Sequence, residues 1–255
     1  METYKSIDIV LQGKCYDITK KIINEYKKLS FVNKIYLSSY DEDFNFEIPD
    51  NVYFINNKII EPNGLGNRNL QINTSINGIK NVNSKICIKM RTDQLISLDS
   101  MNKMHEYWIK YNSKNKIFVL GMYKKFPYHP RDHVFWGFTE DIYNLFNIPF
   151  DKTKINLIKN DISIYLEYTR AETYICQYYY AKFDNSIYEH IENPKIYLVD
   201  KSPKINESLK KDFAIRDSIF SPFPRVNICW PKAYKHDSFE LLRWQSNCEI
   251  WGNND

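Results

Sequence analysis

Short apolar runs alternate with amphipathic segments through the first part of the chain. Residues 6–13 form a mostly apolar run that ends in Gly13, which predicts a buried strand followed by a turn. Residues 17–29 repeat apolar side chains at helical spacing after Asp17 or Thr19 as the cap, and predict an amphipathic helix. The alternation continues, with further strands predicted at residues 34–40, 51–56, 85–90, 116–122 and 133–136, and further helices at residues 68–79, 101–111 and 139–148.

Strands and helices in this order predict an α/β fold of Rossmann type, in which a mostly parallel central sheet is flanked by helices. Right-handed crossovers place the carboxyl ends of the first, second and fourth strands on the same edge of that sheet. We therefore expect Gly13, Asp41 and Asp93 to approach one crevice. Open α/β sheets bind their ligands in such a crevice.

The later part of the chain has a different pattern. From about residue 151 it becomes more helical, with residues 164–183 as the longest predicted helix. From Ser221 onward, prolines and tryptophans predict an irregular tail that wraps across the earlier sheet. We predict a single domain over residues 1–255, with a helical and irregular C-terminal part.

Composition narrows the class of protein. With 43% hydrophobic and 26% charged residues, the chain is ordinary for a soluble globular protein. Its net charge of +4 includes no dense basic block, which argues against a nucleic-acid partner and suits anionic metabolites or weak contact with an anionic membrane surface. The start lacks a signal-peptide core, no 18-residue apolar stretch occurs, and the five cysteines are scattered, so we expect an intracellular protein with reduced thiols.

Residues 64–93 concentrate the side chains best suited to bind a diphosphate. A Gly/Asn-rich loop leads into a helix and then an apolar strand that ends abruptly at Arg91-Thr92-Asp93. A diphosphate needs concentrated positive charge, a divalent cation held by a carboxylate, or both. Arg68, Lys89 and Arg91 supply the first, and Asp93 is the candidate ligand for the second.

Two sets of motifs carry a resemblance to known proteins. Asn67-Arg68-Asn69 opens a predicted helix and Arg91-Thr92-Asp93 ends a predicted strand, and in this the chain resembles many glycosyltransferases of the GT-A type. Further motifs run from the first strand to near the C-terminus: residues 9–13, 66–72, Thr74-Ser75, 89–93, Asp132, Phe135-Trp136-Gly137, Glu140-Asp141-Ile142, Glu172-Thr173-Tyr174 and Trp230-Pro231-Lys232. With these motifs the chain resembles, more narrowly, the WavE lipopolysaccharide-synthesis family.

The resemblance implies an enzyme that moves a sugar from a nucleoside-diphosphate donor to a growing capsule or lipopolysaccharide chain, on an oligosaccharide or lipid-linked acceptor. It implies a GT-A-like fold in which residues 1–122 bind the nucleotide-sugar and residues 123–255 form the acceptor side. The expected location is the cytoplasm, with peripheral contact to the inner membrane left open. The predicted donor-binding residues are Gln12, Gly13, Arg68, Lys89, Arg91, Asp93 and Lys232.

Two points of chemistry stay open at this level. GT-A enzymes commonly carry two acidic residues at the triplet and bind a divalent cation there, whereas Arg91 replaces the first acid here. Asp93 alone is a weak ligand for Mg²⁺ or Mn²⁺, and Arg91 is suited to pair directly with a phosphate, so metal dependence is undecided. The base for the acceptor hydroxyl is either Asp132, before a strand, or Glu172, early in a helix.

Two other functions fit the same residues. A sugar-phosphate or phosphoryl-group transferase acting on the same polymer would use the same basic side chains. A non-catalytic carbohydrate-binding protein would use the tyrosine and tryptophan surface alone. The three carboxylates Asp93, Asp132 and Glu172 favour an enzyme over the latter, because a simple binding groove does not require them.

Overall fold

The computed structural model describes residues 6–40, 46–121, 128–152, 171–188, 207–223, 227–231 and 239–243. Its strands are β1 (Ile7–Gln12), β2 (Val32–Ser39), β3 (Val52–Asn56), β4 (Ile86–Arg91), β5 (Leu95–Ile96), β6 (Ile117–Val119), β7 (Val134–Phe138), β8 (Phe220–Pro222), β9 (Asn227–Pro231) and β10 (Phe239–Arg243). Its helices are α1 (Asp17–Tyr26), α2 (Arg68–Lys80), α3 (Leu98–Tyr111), α4 (Thr139–Phe146), α5 (Ala171–Ala181) and α6 (Glu207–Ile219), and a 3-10 turn, Leu65–Asn67, precedes α2.

A seven-stranded sheet organises these elements in the order β3-β2-β1-β4-β7-β6-β8. The first four strands of that order are mutually parallel. Strand β7 runs antiparallel to both of its neighbours, and β8 is parallel to β6. The predicted α/β fold, with a mostly parallel central sheet flanked by helices, is therefore confirmed.

Side chains of the central strands alternate between two apolar cores, one on each face of the sheet. Ile86, Ile88 and Met90 of β4 enter the core that also holds residues of α1 and α3. Cys87 enters the opposite core, which holds residues of α2, α4 and α5. Because successive side chains of a strand point to opposite faces, Lys89 and Arg91 lie on the same face as Cys87.

The sheet has a switch point between β1 and β4. From β1 the chain passes outward through β2 to β3 and then returns by α2 to β4 on the other side of β1. Such a reversal opens a crevice at the carboxyl ends of the two central strands. The structure therefore places the ends of β1 and β4 side by side, with the start of α2 above them.

Helix α2 packs unusually close to the sheet at Gly78. A Cβ atom on this glycine would collide with a methyl group of Val10 in β1 and would lie 3.1 Å from Cβ of Ser38 in β2. A residue without a side chain is required for that approach. This contact seats the C-terminal end of α2 against β1 and β2.

The C-terminal strands return to the region of the triplet. Strands β10, β9 and β5 form a second, three-stranded sheet, and β5 follows directly after Asp93-Gln94. Strand β8 belongs to the central sheet, so both predicted halves of the chain contribute to that sheet. Among the described helices, none has the length and apolar character needed to cross a membrane.

The strand predicted at residues 133–136 ends later in the structure. Strand β7 continues through Gly137 to Phe138, and Gly137 pairs with Cys87 of β4. A Cβ atom at Gly137 would lie only 3.2 Å from the carbonyl oxygen of Lys116, so the glycine allows close backbone approach rather than a turn. Of the predicted helix 164–183, residues 164–170 lie outside the described chain, as does Asp41.

Candidate active site

A cleft opens at the switch point of the central sheet. The end of β1 contributes Gln12 and Gly13 to its lining, and the end of β4 contributes Arg91 and Asp93. Asp132, which lies just before β7, completes this side of the cleft. Five of the residues predicted from the sequence to act on the substrate are thus brought together at one carboxyl edge.

Arg91 is the centre of an ionic cluster in this cleft. Its Nε donates to Asp93 Oδ1 at 2.9 Å and its Nη2 donates to Asp93 Oδ2 at 2.7 Å. Its Nη1 donates to Asp132 Oδ2 at 2.8 Å. Burial alone would lower the pKa of Arg91, but Asp132 and Asp93 outweigh it and raise the pKa above its ordinary value. The guanidinium therefore stays charged and is fixed between two carboxylates.

Asp132 is held in its ionised form by the same contacts. Burial would raise the pKa of this carboxyl, but the charges of Arg91 and Lys89 outweigh burial and hold the pKa well below its usual range. A carboxylate stabilised in this way is a weak proton acceptor, because a general base works best with a pKa near the operating pH. The contacts favour a role in binding and orientation for Asp132.

Thr92, between Arg91 and Asp93, fastens the two central strands to each other. Its backbone N–H donates to Gln12 O at 3.2 Å, its hydroxyl donates to the carbonyl of Lys14, and its own carbonyl accepts from the Thr19 hydroxyl at 3.0 Å. Gly13 has a φ of +123°, and a Cβ there would lie 3.2 Å from Thr92 Oγ1. The turn after β1 is therefore seated against the triplet, an arrangement that the sequence did not indicate.

Lys89 lies behind the cleft and does not line it. Its side chain is fully buried, its Nζ donates to the carbonyl of Asp132 at 3.4 Å, and Nζ lies 5.4 Å from the ring centroids of Phe135 and Phe146. Burial lowers the pKa of Lys89 to about 8, although Asp132 opposes the shift. The predicted contact between Lys89 and the donor is not available in this structure, because the strand is buried on both faces. The positive charge of Lys89 helps to keep Asp132 in its ionised form.

The buried charge of Lys89 gives a testable dependence of stability on pH. Between about pH 8 and 10.5, the unfolded chain holds a proton on this lysine that the folded protein has lost, so stability rises with pH across that window. The variant Lys89→Met lacks this contribution. We expect its free energy of unfolding, relative to wild type, to fall by about 3 kcal/mol from pH 7 to 10.5 in urea titrations. Lys80→Met, at an exposed position of α2, controls for the loss of one lysine. A difference that is independent of pH would contradict this view of Lys89.

Arg68 is also buried, and it anchors the first turn of α2. Its Nε donates to Leu65 O at 3.0 Å and lies 3.3 Å from Asp151 Oδ2, and its guanidinium stacks over the ring of Tyr174 at 4.8 Å. Asp151 also accepts from the backbone N–H of Leu65 at 3.1 Å. Arg68 does not line the cleft, so its contacts assign it to the placement of the α2 start rather than to the donor.

Glu172 lies in the first turn of α5, outside the lining of the cleft. Burial raises the pKa of its carboxyl to about 7, and the nearby charge of Asp132 adds to the shift. The adjacent Thr173 hydroxyl lies 3.1 Å from His129 Nδ1, which connects α5 to the chain just before Asp132. Each candidate base meets one requirement and lacks the other. Asp132 lines the cleft but has a pKa far below neutral, whereas Glu172 has a pKa of about 7 but lies outside the cleft lining.

Several cleft residues were missed by the sequence interpretation. Lys14 and Tyr16 follow the end of β1, Tyr40 follows β2, and Gln71 lies one turn into α2. Gln71 Nε2 is 3.5 Å from Asp132 Oδ2, so α2 reaches across to the ionic cluster. The position of Lys14 directly after a strand-ending glycine is the one signal that pointed to it. Lys232, predicted to bind the donor, lies outside the described residues.

His133 and Gln94 form a buried pair beside Asp132. His133 Nδ1 lies 2.7 Å from Gln94 Oε1. Burial lowers the pKa of His133 to about 4, against the opposing charge of Asp132, so the imidazole is neutral at physiological pH. The neutral ring adds no positive charge to the cluster, which leaves Arg91 as the cation in direct contact with both carboxylates.

The residues present fit a divalent cation poorly. Both oxygens of Asp93 and one oxygen of Asp132 already accept hydrogen bonds from the guanidinium of Arg91, so a metal ion shared by these carboxylates would compete with the arginine for them. Within the described part of the chain, no group of three or more His, Cys, Asp or Glu side chains is arranged to hold a metal ion.

No protein-family model and no curated protein matches the chain. Among solved structures, it is similar to 2-C-methyl-D-erythritol 4-phosphate cytidylyltransferase (IspD) of Francisella tularensis, at 10% identity over 55% of this chain and 74% of that chain, with a TM-score of 0.37. It is also similar to HddC from Yersinia pseudotuberculosis, at 15% identity over 61% of this chain and 84% of that chain, with a TM-score of 0.37. The complex of HddC with GMP-PN gives 14% identity over the same shares of the two chains and a TM-score of 0.32. Likenesses this distant carry no information about the reaction.

Proposed function

We propose that this protein is a GT-A-like glycosyltransferase that moves a sugar from a nucleoside-diphosphate donor to a growing bacterial surface polysaccharide. The observation that carries the proposal is the cluster of Asp93, Arg91 and Asp132 at the switch point of the central sheet. Ligands of open α/β folds bind at that position. An arginine fixed there by carboxylates suits a ligand that combines phosphates with sugar hydroxyls.

The diphosphate is the part of the donor that the basic side chains serve. Lys14 is exposed at the end of β1, and Arg91 lies at the end of β4, both in the lining of the cleft. Gly66 and Asn67, just before the first turn of α2, form part of the facing wall. The positive end of a helix dipole and two cations stabilise the negative charge that develops on a departing diphosphate.

The carboxylates and Gln71 serve the sugar and the acceptor. Asp93, Asp132 and Gln71 all line the cleft and present oxygen and amide groups that suit sugar hydroxyls. Deprotonation of the acceptor hydroxyl requires a base with a pKa near neutral, and the pKa of about 7 supports Glu172 for that step. Glu172 would need to reach the acceptor directly or through one water molecule.

The polymer is the part of the proposal that depends on the WavE resemblance. Capsule or lipopolysaccharide is the proposed acceptor class, and peripheral contact with the inner membrane is the corresponding proposed location. The proposal also retains the single GT-A-like domain over residues 1–255, with the nucleotide-sugar on the side of residues 1–122 and the acceptor on the side of residues 123–255.

The test is a thermal shift of the purified protein against a panel of nucleosides, nucleoside diphosphates, nucleoside triphosphates and oligosaccharides. We expect one nucleoside diphosphate, and its sugar conjugate, to raise the melting temperature by about 5 °C or more at about 100 times its dissociation constant. Lys14→Ala should reduce that shift. Lys20→Ala, at an exposed position of α1 away from the cleft lining, should leave it intact.

Each other outcome of the panel contradicts the proposal in a different way. A shift with oligosaccharide but with no nucleotide would indicate a carbohydrate-binding protein without turnover. A shift with triphosphates alone would indicate phosphoryl or nucleotidyl transfer. A shift that Lys14→Ala and Lys20→Ala reduce equally would show that the nucleotide binds outside this cleft.

A further inference from the structure

We propose that Arg91 is a built-in substitute for a divalent cation, so that the cleft binds the donor diphosphate without a metal ion. This inference rests on the proposed function, because it concerns how the same site holds the diphosphate. The two proposals can be tested separately. A nucleotide-sugar transferase would bind nucleotide in the thermal-shift panel whether it holds the diphosphate with a metal ion or with an arginine.

The first support is the occupation of the carboxylates. A bound Mg²⁺ or Mn²⁺ requires carboxylate oxygens that are free to coordinate it. Here the planar guanidinium of Arg91 takes both oxygens of Asp93 at 2.9 and 2.7 Å, in a fork that matches the carboxylate. Its third hydrogen bond, at 2.8 Å, takes Oδ2 of Asp132. Arg91, which stands where GT-A enzymes commonly carry the first acid of the triplet, therefore also neutralises the second acid, Asp93.

The second support is the direction in which the cluster is exposed. The side chain of Arg91 is 29% exposed, whereas those of Asp93 and Asp132 are 11% and 9% exposed. Arg91 is thus the member of the cluster that is most accessible to a ligand in the cleft. Three of the five N–H donors of Arg91 are used in the cluster, which leaves two for phosphate oxygens.

The third support is the balance of charge around the cleft. Arg91 and its two carboxylate partners together carry one negative charge, which alone would repel a diphosphate. Lys89 lies directly beneath the cluster, with its ammonium bonded to the carbonyl of Asp132, and Lys14 lies in the wall of the cleft. These two lysines offset that negative charge without a metal ion: the balance is one positive charge when Glu172 is protonated and zero when it is ionised. Buried positive charge acts more strongly there than it would in water.

The test compares nucleotide binding by calorimetry in EDTA and in Mn²⁺, using the nucleoside diphosphate that gives the largest thermal shift. We expect the dissociation constants in the two conditions to agree within about twofold, against the much larger loss expected when a required cation is removed. Binding that occurs only with Mn²⁺ would overturn this inference and leave the proposed function standing. Failure to bind any nucleotide in either condition would overturn both.

A second measurement follows free Mn²⁺ by electron paramagnetic resonance and needs no nucleotide. Arg91→Ala leaves Asp93 and Asp132 as two neighbouring carboxylates without the guanidinium that bridges them, which is the beginning of a metal site. We expect this variant to bind Mn²⁺ at least about tenfold more tightly than wild type. Lys14→Ala is the control, because it removes one positive charge from the same cleft without freeing a carboxylate. Equal gains in both variants, or Mn²⁺ binding by wild type as tight as that of Arg91→Ala, would overturn the inference.

A third measurement uses Arg91→Lys, which keeps the positive charge at this position and perturbs the fold less than Arg91→Ala does. An ammonium group cannot reproduce the two-pronged contact with Asp93 or hold its remaining donors in a fixed plane. We expect Arg91→Lys to weaken nucleotide binding in EDTA by about tenfold. Wild-type affinity in this variant would show that the guanidinium is not the group that receives the diphosphate, and would overturn the inference.

Discussion

Asp93→Asn is expected to lower sugar transfer by about 100-fold or more while the protein stays folded. The carboxylate of Asp93 fixes the guanidinium of Arg91 through two hydrogen bonds, of 2.9 and 2.7 Å. An amide of the same shape offers one acceptor and one donor group, so its NH₂ would face an N–H of Arg91. The arginine would leave its position, and a small displacement of a binding group is enough for a loss of this size.

The measurement is kcat/KM for transfer or hydrolysis of the nucleotide-sugar that gives the largest thermal shift. Asp99→Asn is the matched control, since Asp99 lies on α3 with its carboxylate 67% exposed in a surface pair with Lys103. Circular dichroism of both variants would check that the fold is retained. Turnover by Asp93→Asn at the rate of the control would remove Asp93 from the catalytic site.

Arg68→Ala is expected to lower the free energy of unfolding by about 3–5 kcal/mol. The side chains of Arg68 and Asp151 are only 5% and 3% exposed, so removal of the arginine takes a positive charge away from a buried carboxylate. The stacking of the guanidinium over Tyr174 is lost as well. We expect the melting temperature of Arg68→Ala to fall while its nucleotide affinity stays close to that of wild type.

Urea unfolding of Arg68→Ala and Lys103→Ala checks this prediction. Lys103 pairs with Asp99 on the surface, where the side chains are 63% and 67% exposed, and such a pair contributes less than about 1 kcal/mol. If Arg68 contacts the donor instead, Arg68→Ala would keep the stability of wild type and lose nucleotide binding. That result would restore the role predicted from the sequence.

The two arginines show how far the sequence could predict the site. Arg91 was placed correctly at a sheet edge, because the apolar run before it defines a strand and its charged end defines where the strand leaves the core. Arg68 was placed correctly at a helix start, but the direction of its side chain depends on Asp151 and Tyr174. Contacts between such distant parts of the chain leave no local pattern in the sequence.

Lys89 and Gly137 show a related limit. Lys89 lies within a predicted strand and Gly137 directly after another, but the sequence did not show which parts of the chain pack against these residues. Lys89 was predicted to bind the donor because it shares a short segment with Arg91 and Asp93, whereas α2, α4 and α5 cover its face of the sheet and bury it. The predicted strand ended before Gly137, because the backbone of Lys116 that approaches this glycine cannot be inferred from the residues around it.

The close seating of α2 against the sheet at Gly78 limits how this protein could adapt to different ligands. The contact at Gly78 holds the C-terminal end of α2 on β1 and β2, and the ion pair of Arg68 with Asp151 holds its first turn. The mouth of the cleft on that side is therefore of fixed width. Selectivity among ligands of the cleft would then arise from exchange of side chains such as Asn67 and Gln71 rather than from movement of α2.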